Sequence, residues 1–474
     1  MDDISQRQHV LRQAATSSVI LLELNELSPS LMHDFMAAGE LPNFKRLHDS
    51  SQVFITDAEE KAPNLEPWIQ WVTVHSGLPF SEHGVFHLGD GARLKAPQLW
   101  DLLSRAGHKV WICGSMNIRY DDKLNGAALP DPWTTGVPPY PSGAFDSYCR
   151  FVQRNVQEHT NDRLQLSARE YLDFLKFMVG HGLSVRTVAA TLRQLLAERR
   201  NPKARWRRAT ILDRLQWDVF KHYYRTEKPK LATFFLNSTA HFQHMFWRNM
   251  DPEPFKVKPT EQENAEYRDA ILQGYREMDR IVGDALSIAQ DGRTVIMLAS
   301  ALSQQPCLTY EDAGGKTFYR PRDFKAFAEF AGVRGAFRIE PVMSEQFHMR
   351  FDDGDMAASA AVALRGLRVF GREAMAVTVE ENSLLTGCCI FDQLSTDAVI
   401  TRADGGVADF FGVFYQVEGL KSGMHHPDGI LWIRIPGELP DTRATRASLR
   451  DIAPTVLGLL GVDAPAEMTG RQLT

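Results

Sequence analysis

No apolar run in this sequence approaches the ~20 residues that a membrane-spanning helix needs. The opening stretch, MDDISQRQHVLRQAATSS, is polar and has no apolar h-region, so no signal peptide is expected. Cysteine is scarce, with five in 474 residues and no C-x-x-C pair. An odd set without paired spacing argues against a disulfide frame and predicts buried thiols in a reducing compartment. Neither charge dominates: 53 Lys and Arg stand against 59 Asp and Glu, a net charge of −6. That balance gives no electrostatic reason to expect nucleic acid or an anionic membrane as a partner. The expectation is a soluble cytoplasmic protein without a transmembrane segment, acting on a small molecule.

What is present is an ordinary globular composition, 44% hydrophobic and 24% charged, on a chain long enough for more than one structural unit. Short apolar runs read as buried strands: Ser17 to Leu24, Val53 to Thr56, His108 to Cys113, Leu231 to Leu236 and Arg293 to Ala299. Helical patterns separate them. Strands alternating with helices imply crossovers, hence an α/β class with a mainly parallel central sheet flanked by helices. Residues 145–230 are helical and charged without strand signal, and read as a helical insertion or cap. Their Arg-rich part, ERRNPKARWRRAT, reads as a solvated face, with phosphate binding as the alternative. Residues 308–400 mix strands and a small-residue helix, and read as a small α+β insertion. The core is then 17–144, 231–307 and 401–474, after a mobile N-terminus over 1–16. The insertions are expected to cover the carboxyl edge of the sheet. Glu261 to Gln290 reads as one long helix, Phe410 to Gln416 as a strand, and Gly423 to Gly429 as a loop.

Fifteen histidines are more than expected, and several cluster at strand ends. The stretch Leu231 to Pro252, LATFFLNSTAHFQHMFWRNMDP, places Asn237, His241 and His244 just after a buried strand, where open α/β sheets carry their chemistry. Asn237 and His241 share one face of a helical turn. Asn25, Glu23 and Glu26 lie at the end of the first strand, and Ser300 to Gln305 at the end of another. Glu66 opens a helix that also carries His75; helix-dipole complementation and a core histidine are the structural alternatives for these two. His425 and His426 stand side by side before a strand.

The order of these features resembles the alkaline phosphatase superfamily, nearest its type I phosphodiesterase and nucleotide-pyrophosphatase branch. The resemblance rests on LPNFKRL, WVTVHSGLPFSEHG, HFQHMFWRNMDP, HHPDGILW and SLRDIAPTVLGLLGVDAPAEMTGRQL. It implies the superfamily fold and a site with two zinc-like metals held by Asp and His, beside a Ser or Thr nucleophile. Position by position, the site here is degenerate. The first-strand Asp falls at Asn25, or at Glu23 or Glu26 with a shifted alignment. The nucleophile falls at Glu66 or Pro67. The Asp-x-x-x-His pair falls on Asn237 and His241, or on Ala240 and His244. The later Asp-His pair falls on Ser300 and Ala301, and the last His ligand on His426, or His425 if the register slips.

The resemblance therefore implies at most one zinc-like divalent metal, with His241, His426, His425 and Asn237 as candidate ligands and a carboxylate from Glu66, Glu23 or Glu26. Glu66, His75 and His244 are the candidate catalytic residues; Asn25, Asn237, Ser300 and Gln304 are the candidate substrate contacts. The expected function is a phosphodiesterase-like hydrolase or transferase acting on a phosphate- or sulfate-ester substrate. The alternative is a non-catalytic binding or regulatory protein that kept the fold.

Overall fold

The computed structural model describes residues 18–474 except 135, 158–166, 342–345 and 418, so the mobile N-terminus expected over 1–16 lies outside the described residues. Ser18–Leu24 (β1) is buried along its whole length, and alternate side chains enter different cores. Val19 and Leu21 face one helical layer; Ile20, Leu22 and Leu24 face the other. A strand that is apolar on both faces belongs in the middle of a sheet covered on both sides.

The chain continues through Gln52–Asp57 (β2), Val110–Cys113 (β3), Gly126–Leu129 (β4), Leu231–Leu236 (β5) and Thr294–Ala299 (β6). Ser303–Pro306 (β7) and Gly423–His426 (β8) follow, then Asp428–Arg434 (β9) and Asp441–Ser448 (β10). Eight of these form one sheet in the order β10-β2-β9-β6-β1-β5-β3-β4. Only β9 runs antiparallel to its neighbours; the other pairs are parallel, as the sequence implies. β7 and β8 form a separate antiparallel ribbon at the carboxyl end of β6.

The helices that matter are Pro67–Ser76 (α1), Ala168–Gly180 (α2), Val185–Arg200 (α3), Arg208–Glu227 (α4), Ser238–Met250 (α5), Ala270–Ile288 (α6) and Ile452–Leu459 (α7). α1 and α7 cover one face through Trp71, Val74, Val456 and Leu457. α4, α5 and α6 cover the other through Trp217, Phe220, Phe242, Tyr275 and Met278. Full burial of each large apolar side chain contributes about 1.5–3 kcal/mol, so these few anchors fix the helices over the sheet. A capping box of Ser448 and Asp451 opens the short 3-10 turn, Leu449–Asp451, that leads into α7.

The helical insertion flanks the core rather than capping its carboxyl edge. α3 packs outside α4. Val185 and Ser18 line one cavity at the amino end of β1, while Trp206, beyond α3, meets Phe242 and Phe246 of α5. The α+β part has its own core, from Tyr319 to Phe414, around a four-stranded antiparallel sheet.

Three local expectations are corrected. The long helix over 261–290 is two helices, Glu261–Tyr267 and α6. The first buries none of its residues, so the core directs only the second. The strand expected at Phe410 begins as a helical turn, Phe410–Val413, because Phe410 and Phe414 stack at 5.0 Å, a contact four residues apart that a turn provides. The loop expected at 423–429 is β8, and this decides the site.

Candidate functional site

β1, β5 and β6 are parallel and in register, with Leu24 beside Leu236 and Glu23 beside Ala299, so their carboxyl ends open at one level. Asn25, Glu26, Asn237 and Ser300 follow there. Asn25 Nδ2 donates to Asn237 Oδ1 (2.7 Å) and to Glu26 Oε1 (2.9 Å), and Trp71 Nε1 donates to Asn25 Oδ1 (2.8 Å). Glu26 adopts a left-handed backbone (φ 60°), which costs a non-glycine residue about 1–2 kcal/mol. Its N–H donates to Ser300 O (3.2 Å) and its carbonyl accepts from Gln243 Nε2 (2.7 Å). Tyr275 OH in turn donates to Gln243 Oε1 (2.8 Å). These buried bonds hold the strained turn, from which the Glu26 carboxylate reaches His244, His425 and Gln304.

The ribbon of β7 and β8 supplies the next group. His425 pairs with Gln304, and His426 with Ser303. Side chains alternate along a strand, so the two adjacent histidines cannot face the same way. His425 turns to Glu26. The ribbon also lies close to α5: a Cβ on Gly423 would stand 2.1 Å from Gln304 Oε1 and 2.6 Å from Gln243 O. Glycine at 423 lets that strand approach until its carbonyl meets His244 Nδ1 at 3.0 Å.

Glu26, His244 and His425 converge, with one ligand atom from each within 4.8 Å of the others. His244 Nε2 lies 3.2 Å and His425 Nε2 3.6 Å from Glu26 Oε2. On the far side of each ring, Nδ1 donates to a main-chain carbonyl: His244 to Gly423 O, and His425 to Leu65 O at 2.9 Å. Carbonyls only accept, so both Nδ1 atoms carry the proton, and in the neutral rings both Nε2 lone pairs face the carboxylate. His425 Nε2 is buried without a hydrogen-bond partner. Burial raises the Glu26 carboxyl, but positive charge on the facing His425 and His244 and the hydrogen bonds from His244 and Gln304 more than offset it, leaving it at about 2. Burial pushes the His425 imidazole down to about 4, against the pull of Glu26.

The positive charge that this carboxylate calls for can be a proton on a facing ring or a metal ion held by both Nε2 atoms. Two imidazoles and one carboxylate are a catalytic zinc-type donor set with a fourth position left for water or substrate. The Nδ1–carbonyl bonds are the outer contacts that fix such ligands, and Gln304 Nε2 and Asn25 Nδ2 do the same for Glu26. The donor set fits the single-metal expectation.

The candidate residues distribute as follows. Asn25, Gln304, His244 and His425 are in or against the cluster. Asn237 sits at the start of α5 and touches it through Asn25. Glu66 precedes α1 without capping it; its Oε2 is 3.5 Å from His425 Nδ1 and its side chain is 30% exposed. Four candidates lie apart from the cluster. His241 is exposed on α5, because Ser422 and Gly423 meet the turn around His244, one turn further on. His426 faces the other side of the ribbon, where its Nδ1 accepts from Asp428 N–H (3.2 Å). His75 is fully buried beneath the sheet, bonded to Glu23 Oε1 (2.8 Å). Ser300 is a structural tie, accepting from Ile430 N–H (2.9 Å) and donating to Leu27 O (3.3 Å). Glu26, only an alternative alignment in the sequence, is the central carboxylate. Gln243 is not singled out by the sequence reading; a glutamine among apolar helix positions is the available signal for it.

No family model and no curated protein match the sequence. Among solved structures, wild-type alkaline phosphatase PafA is similar at 12% identity over 97% of this chain and 98% of that chain, with a TM-score of 0.48. Human ectonucleotide pyrophosphatase/phosphodiesterase 5 is similar at 9% identity over 94% and 96%, with a TM-score of 0.41. The phosphonate monoester hydrolase SpPMH from Silicibacter pomeroyi is similar at 11% identity over 97% and 76%, with a TM-score of 0.42. With TM-scores below 0.5, the chemistry of the site rests on its own residues.

Proposed function

We propose that the chain is a phosphate- or sulfate-ester hydrolase of the alkaline phosphatase superfamily, in its phosphodiesterase-like branch, using one divalent metal at Glu26, His244 and His425. The observation that carries this reading is the sharing of Glu26 Oε2 by two Nε2 atoms whose rings are both fixed through Nδ1. The quoted sequence segments support the superfamily. Ser300 and Ala301 offer no second metal site, so a two-metal displacement finds no support here.

When bound, a zinc-like ion in this donor set polarises an ester oxygen and acidifies water. The chain supplies the rest. Glu66 is the partly exposed carboxylate nearest the cluster, on the Nδ1 side of His425, and is the candidate to take a proton from the attacking water and return it to the leaving alcohol. Asn25 and Gln304 hold the Glu26 carboxylate, and Asn237 orients Asn25.

The test is metal analysis with hydrolysis of aryl phosphate, aryl phosphodiester and aryl sulfate esters. One equivalent of zinc-like metal and chelator-sensitive hydrolysis are expected. Neither metal nor hydrolysis would sink the reading. Burial favours a second reading, a structural or regulatory ion: the Glu26 side chain is 3% exposed. Stoichiometric metal without hydrolysis would select it.

A further inference from the structure

α3 carries its apolar stripe outward. Val185, Val188, Leu192, Leu195 and Leu196 recur at helical spacing and are exposed, Val185 at 85% and Leu196 at 59%. The inward side is polar, with Thr187 and Glu198 buried. This inverts the usual surface helix, which buries its apolar face. α2, joined to α3 by residues 181–184, buries Phe174, Phe177 and Met178 but also exposes Leu172, Leu175 and Val179, all at least half exposed. Exposed apolar stripes of this kind mark interaction surfaces.

The charge around the stripe says what covers it. At 100° per residue, Arg186, Arg193 and Arg200 fall in one row along the flank of the stripe. Each is exposed, and none enters an ion pair among the described residues. Between Arg186 and Arg208 there are eight cations and one carboxylate, Glu198, which Arg208 binds at 2.6 Å. The whole-chain charge of −6 hides this region. A second copy docked on the stripe would bring two arginine rows into one interface. No helix among the described residues is long and apolar enough to cross a membrane. A helix with an apolar stripe flanked by arginines lies in the plane of an anionic bilayer, leucines among the acyl chains and guanidinium groups at the phosphates.

We propose that α3, with α2 beside it, is a peripheral membrane-binding surface that docks the protein on anionic phospholipid. The inference is independent of the metal site. It is tested by co-sedimentation of the full chain with phosphatidylcholine vesicles and with vesicles that also contain phosphatidylglycerol. Binding to the anionic vesicles, weakened by salt, is expected. The Leu192→Glu/Leu196→Glu variant should lose it, and Arg186→Glu/Arg193→Glu/Arg200→Glu should weaken it by at least on the order of 100-fold. Both variants alter exposed positions, and unchanged circular dichroism and Tm confirm that they fold. No binding to anionic vesicles, or equal salt-insensitive binding to both compositions, overturns the proposal. So does a dimer in sedimentation velocity that Leu192→Glu/Leu196→Glu dissociates.

Discussion

His244 and His425 meet edge to face over Glu26, ring centroids 5.2 Å apart at 73°, each with Nδ1 on a main-chain carbonyl. That relationship separates the two histidines that can hold a cation from their neighbours His241 and His426. His244→Ala and His425→Ala should each weaken zinc binding by more than the ~10–100-fold typical of losing an outer contact. His241→Ala and His426→Ala should leave it within about threefold of the parent. Isothermal titration with zinc measures all four. A large loss in His426→Ala would restore the register first expected from the sequence.

The close approach of β8 to α5 makes a second prediction that removes no ligand. Gly423→Ala places a methyl against Gln304 Oε1 and the Gln243 carbonyl. The ribbon must move off α5, lengthening the His244 Nδ1 bond to residue 423. Overpacking of this kind costs about 1–3 kcal/mol of stability. Metal affinity should fall about 10–100-fold while the stoichiometry stays at one. Unchanged affinity and unchanged Tm would show that the ribbon tolerates the methyl.

Much of the fold was legible because both faces of its central strands are apolar. β1, β5 and β6 appeared as short aliphatic runs, and nothing but a buried parallel sheet accommodates several of those. The site was legible as a neighbourhood and not as a geometry. Choosing His425 over His426 depends on whether 423–426 is loop or strand, and a four-residue strand that pairs only with β7 has little local signal. Choosing Glu26 over Asn25 depends on a left-handed residue, which sequence reading does not expect at a glutamate. His75 reads in sequence as either a catalytic or a core histidine, because a polar residue under a sheet and one at its edge look alike there; the structure buries it.

Asp213 gives a pH dependence of stability. It is buried beneath the start of α5 and hydrogen-bonded to Ser238 Oγ. Burial first, against the Ser238 bond, and with a further push from Glu277, raises its carboxyl to about 8. The unfolded chain ionises near ~3.9. Between these values the folded state holds a proton that the unfolded state has lost, so stability falls as pH rises and levels off above the folded value. Asp213→Asn removes this dependence. Urea midpoints should show the variant gaining on the parent from about pH 4 to about pH 8, by at least ~1–2 kcal/mol. A gain in the opposite direction would mean Asp213 is ionised in the fold.

The Glu23–His75 pair tests whether a polar contact under the sheet serves function or packing. Both side chains are fully buried and joined by one 2.8 Å contact, while Glu23 Oε2 and His75 Nδ1 have no hydrogen-bond partner. Removing one member of a buried pair strands the other, at about 3–5 kcal/mol. Replacing both with apolar side chains is often neutral or stabilising, because the desolvation cost disappears with the pair. His75→Leu should therefore lower stability by ~3–5 kcal/mol, and Glu23→Leu/His75→Leu should recover most of that loss. Zinc stoichiometry should stay at one in both, since neither side chain reaches the Glu26 cluster. Denaturant unfolding of the single and double variants, with metal analysis of each, measures both halves. A double variant as unstable as His75→Leu, or loss of zinc without loss of stability, would give His75 a role in the site.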